Sequence, residues 1–484
     1  MRPVCVVGAG TMGRGIAQVA LAAGHEVVLC DPDDAQLTSA ALDIRARLER
    51  RSADTVDEAM ARLRTASGIA AVTDVQDPLV VEAVVERLEV KVAVFTAAAE
   101  RFGGGCILAT NTSSLSVTEI AAGVPLPERV VGMHFFNPVP VMKLVEIVRG
   151  LRTDEDVVQE TADMARSWGK SVAYVRSTPG FIVNRVARAY YGEALRIVEE
   201  GSATPECIDE LMRSGNGFRM GPFELMDLIG VEVNNTVTRT VWSAFNFEPR
   251  FAPSVLQAEM AAGGLHGRKT GRGFYDYTDG ATPPLPHPVP TDALVPAGAA
   301  LRGRDEHLEA IWSRAQGGPL PREDGPGVLA LGDLGVVKQT QGRTAREEAR
   351  LLGCEVVLLD RCLDPSTSSA VALSGTTDAL IAATAGLLAA AGIAAYRIDD
   401  TPGLVAARTL SLIANEAWET VQQRTATPDD VDTAMALGTN YPCGPFEWTR
   451  RWGAPVVRDI LDNVYDEYRD PRYRASRGLR IAAG

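Results

Sequence analysis

The sequence has no surplus of positive charge: 48 Lys and Arg stand against 62 Asp and Glu, a formal net charge of −14. That excludes a general basic field for nucleic acid or anionic lipid, so no nucleic-acid partner is expected and a polyphosphate ligand needs a local basic pocket. Histidine is scarce, with five (25, 134, 266, 287 and 307) in 484 residues, none paired at metal-ligand spacing, and no metal site is expected. The seven cysteines are odd in number, scattered and without a CxxC pair. They suggest neither a disulfide framework nor zinc and read as small core residues. Long apolar runs are missing too: the stretch from Ala379 to Ala395 is interrupted by Thr and Gly and falls short of the roughly 18 clean residues a membrane span requires. No membrane partner is expected. An apolar strand begins by Val4 with no charged leader before it, so the expected address is the cytoplasm. What remains is a hydrophobic content of 46%, enough to fill the cores of a multi-domain α/β chain.

The first ninety residues read as a dinucleotide pocket. Val4-Cys5-Val6-Val7 runs straight into Gly8-Ala9-Gly10-Thr11-Met12-Gly13, after which Ile16, Val19, Ala20 and Ala23 recur at helical spacing. Gly8 makes the tight turn, Gly10 lets backbone approach a pyrophosphate, and Gly13 lets helix pack on strand. A second strand, Glu26 to Cys30, ends in Asp31. A carboxylate there accepts hydrogen bonds from a ribose 2′-hydroxyl and repels a 2′-phosphate, which favours NAD over NADP. A further strand, Leu79 to Val85, ends in Glu86 and leads to a helix containing Lys91. These two residues either face the nicotinamide half of the cofactor or belong to a solvated helix face.

Another strand, Ile107 to Ala109, opens into Thr110-Asn111-Thr112-Ser113-Ser114, whose hydroxyls either face the cofactor crevice or cap the helix that starts near Val117. Beyond it lie Val130 to Phe136, the Pro-broken link Asn137-Pro138-Val139-Pro140, and Lys143 to Val148. Two strands joined by such a link bring His134 and Glu146 together. An imidazole titrates near neutrality, and a carboxylate on its other nitrogen fixes the tautomer and stabilises imidazolium. The pair reads as an acid/base dyad for hydride transfer.

The blocks GAGTMGRGIA, AVVERLEVK, NTSSLSVTEIA, HFFNPVPVMKLVEIV, TPGFIVNR, MGPFELMDLIG and HGRKTGRGFYDY, in this order over residues 1 to about 280, closely resemble the L-3-hydroxyacyl-CoA dehydrogenases. The resemblance implies a Rossmann-type NAD-binding domain followed by an all-α C-terminal domain, and an NAD-dependent oxidation of (S)-3-hydroxyacyl-CoA thioesters. It implies that His134 is the catalytic acid/base, Glu146 its partner, Ser113 a donor to the substrate oxygen, and Asn184 a polar group near the reacting carbon. It places Asp31, Glu86, Lys91, Asn137 and Lys269 among the contacts to NAD, with Ser113 also near the thioester end. The family's usual Ser and Lys for coenzyme A do not align; Arg47, Arg50 and Arg51 either replace them at the phosphates or form an exposed charged face. The acyl group is open between a short chain such as 3-hydroxybutyryl and a dicarboxylic one such as 3-hydroxyadipyl. A dehydrogenase of free hydroxy acids and a non-catalytic NAD-binding scaffold are the rival readings.

Residues 178 to 225 recur at a constant spacing of 223: Thr178-Pro179-Gly180 matches Thr401-Pro402-Gly403, and Gly221-Pro222-Phe223-Glu224 matches Gly444-Pro445-Phe446-Glu447. A helical domain is duplicated. Asn184 becomes Ala407, so the second copy reads as structural. Gly332 and Gly335 lie in an incomplete glycine pattern between the apolar stretches 327–333 and 354–360, which reads as a degenerate Rossmann-like remnant without cofactor. The expected organisation is therefore an NAD-binding domain over 1–177, helical copies over 178–280 and 401–484, a linker over 281–326 and the remnant over 327–400. The tandem copy predicts either a homodimer or an intramolecular pseudo-dimer.

Overall fold

The computed structural model describes residues 1–51, 53–291, 298–318 and 320–484, without the side chains of Arg51 and Ala53. Two compact units emerge, Met1–Arg185 with Gln423–Thr439, and Val186–Gln422 with Asn440–Gly484. Among the described residues no helix is long and apolar enough to cross a membrane.

In the first unit, Val- and Leu-rich runs without polar alternation form strands covered on both faces, as a parallel sheet demands. The elements are β1 (Val4–Val7), α1 (Thr11–Ala22), β2 (Val27–Cys30), α2 (Asp34–Arg51), α3 (Val56–Ala61), β3 (Leu63–Ala66), β4 (Leu79–Glu82), α4 (Leu88–Phe102), β5 (Ile107–Thr110), α5 (Val117–Ala122), β6 (Val130–Phe135), β7 (Leu144–Arg149), α6 (Glu155–Ser167) and β8 (Ser171–Arg176). The sheet order is β3-β2-β1-β4-β5-β6-β7-β8. Only β6 and β7 run antiparallel. The other neighbours are parallel. Ile16, Leu21, Leu29, Val81 and Ile147 are wholly buried at its core, each worth about 1.5–3 kcal/mol relative to exposure.

Strand β4 stops at Glu82, three residues short of the sequence reading. Its continuation turns across the glycine loop: a Cβ on Gly8 would lie 2.5 Å from the Ala83 carbonyl oxygen. Glu82, not Glu86, therefore stands at the strand's carboxyl end.

The edge strand β8 is closed by the second helical copy. The Tyr174 N–H donates to the Asp430 carboxylate at 2.9 Å. Two residues on, the Arg176 N–H donates to the Thr425 carbonyl at 2.8 Å. The helix Pro428–Gly438 lies against β8 and β7. An edge that would otherwise offer free amides to another chain is thereby covered. The expected domain over 401–484 is thus divided, with 423–439 belonging to the first unit.

In the second unit, β9 (Ala299–Arg302), β10 (Arg322–Glu323), β11 (Val328–Leu331), β12 (Val336–Gln339), β13 (Val356–Leu359), β14 (Ala370–Gly375) and β15 (Ala394–Arg397) form a sheet in the order β10-β9-β11-β12-β13-β14-β15. This corrects the linker expected over 281–326: β9 and β10 are strands of that sheet and the helix Glu306–Gln316 shares its core, with Leu301, Leu308 and Ile311 buried. Gly332 opens a single 3-10 turn, Gly332–Leu334, and neither it nor Gly335 opens an α-helix. They reverse the chain between β11 and β12, which pair antiparallel. β12 with β13, through Ala345–Leu352, and β14 with β15, through Asp378–Ala390, are parallel pairs joined through a helix.

The duplication is legible in the backbone. Left-handed residues recur at the 223 spacing: Gly180 and Gly403 at φ 72° and 74°, Phe181 and Leu404 at 49° and 52°, Asn246 and Arg469 at 53° and 51°. Within the second unit the copies pack helix Arg188–Glu199 against Ala406–Gln422, where the buried Arg408 pairs with Glu193 and, at 3.0 Å, with Glu200. Six cysteines are buried, as core residues should be, and Cys354 is exposed.

Candidate active site

The loop between β1 and α1 is built for close approach. A Cβ on Gly13 would lie 1.8 Å from the Gly8 carbonyl oxygen, so that position admits glycine alone. At Gly10, by contrast, a Cβ would meet no protein atom within 4 Å. Nothing in this chain demands glycine there; a phosphate brought against the uncapped N-terminus of α1 does. Asp31, ending the β2 segment, accepts from the Ala9 N–H at 2.8 Å through Oδ2 and from the Asp33 N–H at 3.0 Å through Oδ1. The carboxylate thus ties the glycine loop to β2 and keeps lone pairs for a ribose. These features fit a dinucleotide.

The Lys91 ammonium is buried and does not present itself to a ligand. It lies between two carboxylates, 2.8 Å from Glu82 and 3.0 Å from Glu86. The Thr110 hydroxyl also donates to Glu82. Glu86 in turn gathers the hydroxyls of Thr112 and Ser114 and the N–H groups of Ser113 and Ser114. Burial pushes the Glu86 carboxyl up, but the Thr112 hydroxyl, the Lys91 charge and the Ser114 hydroxyl outweigh it and hold the group below the ordinary glutamate range. The chain Glu82–Lys91–Glu86 anchors the loop on which Ser113 stands exposed. Sequence reasoning missed Glu82, because an acid inside an apolar strand gives no signal until its lysine is seen to be nine residues away and buried.

His134 and Glu146 are direct cross-strand neighbours of β6 and β7. His134 Nδ1 lies 2.6 Å from Glu146 Oε2. Glu146 Oε1 accepts from the N–H groups of Ile182 and Val183 at 3.0 and 3.1 Å. The glutamate is wholly buried and engaged at both oxygens, and His134 is 5% exposed. Phe136 and Phe181 flank the imidazole, with ring centroids 4.5 and 5.6 Å away. One nitrogen is thus fixed, and Nε2 is left for a substrate. Phe181 holds its ring from a left-handed backbone; the same conformation at Leu404 shows that it belongs to the repeated turn.

The remaining sequence-predicted residues are more dispersed. Asn184 is half-buried in the short helix Val183–Val186, directly after the amides that hold Glu146. Asn137 is exposed, just before the cis peptide to Pro138. Lys269 belongs to the second unit, where its ammonium pairs with Glu232. Arg47 is already matched by Asp43, at 2.8 Å along α2. Arg50 is exposed and, among the described residues, donates to the Ala46 carbonyl alone. The Arg51 side chain lies outside the described residues. In the second sheet, Asp360 follows Glu355-Val356-Val357-Leu358-Leu359 as Asp31 follows Glu26-Val27-Val28-Leu29-Cys30. Its carboxylate is buried and accepts from the N–H groups of Val405, Ala406 and Ala407. Burial pushes it up to about 6.

Comparison with known proteins accounts for nearly the whole chain. Residues 3–178 match the family description "3-hydroxyacyl-CoA dehydrogenase, NAD binding domain". Residues 180–277 and 403–481 both match the family's C-terminal domain. Residues 337–402 match "3-hydroxybutyryl-CoA dehydrogenase reduced Rossmann-fold domain". The 3-hydroxyadipyl-CoA dehydrogenase of Escherichia coli K12 is 41% identical over 100% of this chain and 98% of its own. The 3-hydroxybutyryl-CoA dehydrogenase of Mycobacterium tuberculosis is also 41% identical, over 57% of this chain and 98% of its own. A crystal structure described as 3-hydroxybutyryl-CoA dehydrogenase from Escherichia coli K12 superposes with a TM-score of 0.90 at 40% identity, covering 100% of this chain and 98% of that one.

Proposed function

Because this chain belongs to the 3-hydroxyacyl-CoA dehydrogenase family, an NAD-dependent oxidoreductase acting on (S)-3-hydroxyacyl-CoA thioesters, we propose that His134 and Glu146 carry the proton half of its reaction. Bound NAD supplies the acceptor for the hydride that leaves C3. The glycine loop and the α1 N-terminus hold its pyrophosphate, and Asp31 takes the ribose hydroxyls. With Nδ1 donating to Glu146, His134 Nε2 takes the proton of the C3 hydroxyl as the ketone forms. The buried Glu146 carboxylate stabilises the resulting imidazolium. In the reverse direction the same nitrogen returns the proton. Ser113, on the loop anchored by Glu86, donates to the substrate oxygen, and Asn184 orients the reacting carbon. Arg50, without an acid of its own among the described residues, offers charge to coenzyme A phosphates; Arg47 must first release Asp43.

The observation that carries this reading is the 2.6 Å contact between His134 Nδ1 and a glutamate fixed at its other oxygen by two backbone amides. It is tested by the loss of NADH absorbance on mixing protein with acetoacetyl-CoA, in parallel with free acetoacetate and with NADPH. Rapid loss is expected with NADH and the thioester alone. His134→Ala should lower turnover by about two to four orders of magnitude while NAD binding stays near normal. Unchanged turnover in that variant would refute the assignment.

A further inference from the structure

One negative charge is left uncancelled at the carboxyl end of β4. Lys91 Nζ donates to both oxygens of Glu82, at 2.8 and 2.9 Å, and lies 3.0 Å from Glu86 Oε2. The Val84 N–H and the Thr110 hydroxyl also donate to Glu82. Every hydrogen-bond partner of Glu82 among the described residues is thus a donor, and both its oxygens serve as acceptors, as those of an ionised carboxylate do. The same holds for Glu86 under Thr112, Ser113, Ser114 and Lys91. One ammonium therefore stands between two carboxylates. Arg87 does not cancel the surplus, being matched by Glu89 at 3.6 Å. Nor does the loop anchored by Glu86, since residues 110–116 contain no Lys, Arg or His.

The sheet of the first unit fixes where this charge acts. β1 lies between β2 and β4, so successive strands leave it on opposite sides and a dinucleotide crevice opens at that switch point. With Asp31 on the β2 side for the adenosine ribose, the nicotinamide half falls over β4, β5 and β6. Glu82 stands there in register with Val7 of β1 and Thr110 of β5. The side chains of Glu82 and Lys91 are 0% and 1% exposed, whereas that of Glu86 is 37% exposed. A charge fixed in the low-dielectric wall of a crevice is screened less than one in water and reaches a ligand it does not touch. NAD and NADH share the adenosine, the pyrophosphate and both riboses. They differ in the nicotinamide ring, a cation in NAD and neutral in NADH. The glycine loop and Asp31 meet only what the two have in common; a fixed surplus charge of one sign tells them apart.

We propose that the Glu82–Lys91–Glu86 cluster discriminates between the redox states of the cofactor, its surplus negative charge strengthening the binding of NAD relative to NADH and so favouring release of the reduced product. This rests on the NAD reading above. The test is binding to the full chain without substrate, NADH followed by its fluorescence, NAD and ADP-ribose by competition against it. ADP-ribose lacks the nicotinamide and reports on the rest of the pocket. Glu86→Gln and Glu82→Gln remove the same charge from different atoms, and Glu82 lies too deep to touch a ligand. Each should weaken NAD about tenfold, with NADH and ADP-ribose changed less than about threefold. A hydrogen bond to the nicotinamide carboxamide is common to both cofactors and would not produce that selectivity. Equal losses of NAD and NADH would overturn the proposal, since the cluster would then only shape its loop. So would an unchanged ratio of the two dissociation constants in Glu86→Gln. If Glu82→Gln does not fold, Glu86→Gln decides alone, by selective or by equal loss. Wild type that binds neither cofactor nor ADP-ribose would remove the NAD reading itself, a failure distinct from loss of discrimination.

Discussion

Glu146→Gln isolates the proton function from the fold. Glutamine keeps the length of the side chain, and its oxygen can go on accepting from the Ile182 and Val183 N–H groups. With the oxygen fixed there, the amide nitrogen faces His134 Nδ1 at the position now 2.6 Å away, and an NH2 group donates. Nδ1 must then act as acceptor. The single imidazole proton moves to Nε2, the lone pair that would take the hydroxyl proton is lost, and no anion remains to stabilise the imidazolium. The expected loss in kcat is about 10²–10⁴-fold, the usual worth of general acid/base catalysis, or about 3–5 kcal/mol on the barrier at roughly 1.4 kcal/mol per tenfold. The assay is NADH absorbance at saturating acetoacetyl-CoA, with NAD affinity measured separately and expected unchanged. Turnover within about tenfold of wild type would refute the tautomer argument. Alanine at this position decides less, because it also frees the two buried amides.

Asp31→Ala should narrow the preference for NAD over NADP, since the 2′-phosphate would no longer meet a carboxylate; if NADP stays as poor a cofactor, another residue makes the choice. Asp209 is buried beneath the N–H groups of Phe223 and Glu224 and the Tyr275 hydroxyl, and burial pushes it up to about 7. Its folded proton affinity exceeds that of an unfolded aspartate near 3.9, so its stabilising contribution is complete below about pH 4 and fades as pH rises toward 7. The Tm of wild type should therefore fall relative to Asp209→Asn over that window, and a constant difference would contradict it. A chain ending at Tyr277 lacks Thr425 and Asp430 and uncovers the β8 edge. Sedimentation should show it self-associating; a stable monomer would count against that edge as an association surface.

What the sequence discloses here is what lies within one strand–turn–helix step or one hairpin. The glycine loop, Asp31 and the His134–Glu146 register are all of that kind, since period-two alternation across a short link dictates which side chains oppose. The Glu82–Lys91–Glu86 chain escaped because it depends on where β4 stops, and that is decided by the Gly8 turn packing on Ala83. Residues 299–323 escaped for a different reason. The Pro-rich stretch before them suggests a linker, whereas Leu308 and Ile311 bury in a core that is completed by strands and a helix from much later in the chain.

The closure of β8 bears on the order of synthesis. The Tyr174 amide finds its acceptor 256 residues later, at Asp430. At about 5–20 residues per second, a ribosome takes roughly 13–50 s to cover that distance. For that time the cofactor-binding sheet waits with an open edge, and its last hydrogen bonds form after the rest of the domain is made. A destabilising change near residue 430 should therefore act on the yield of an N-terminal domain whose own sequence is untouched.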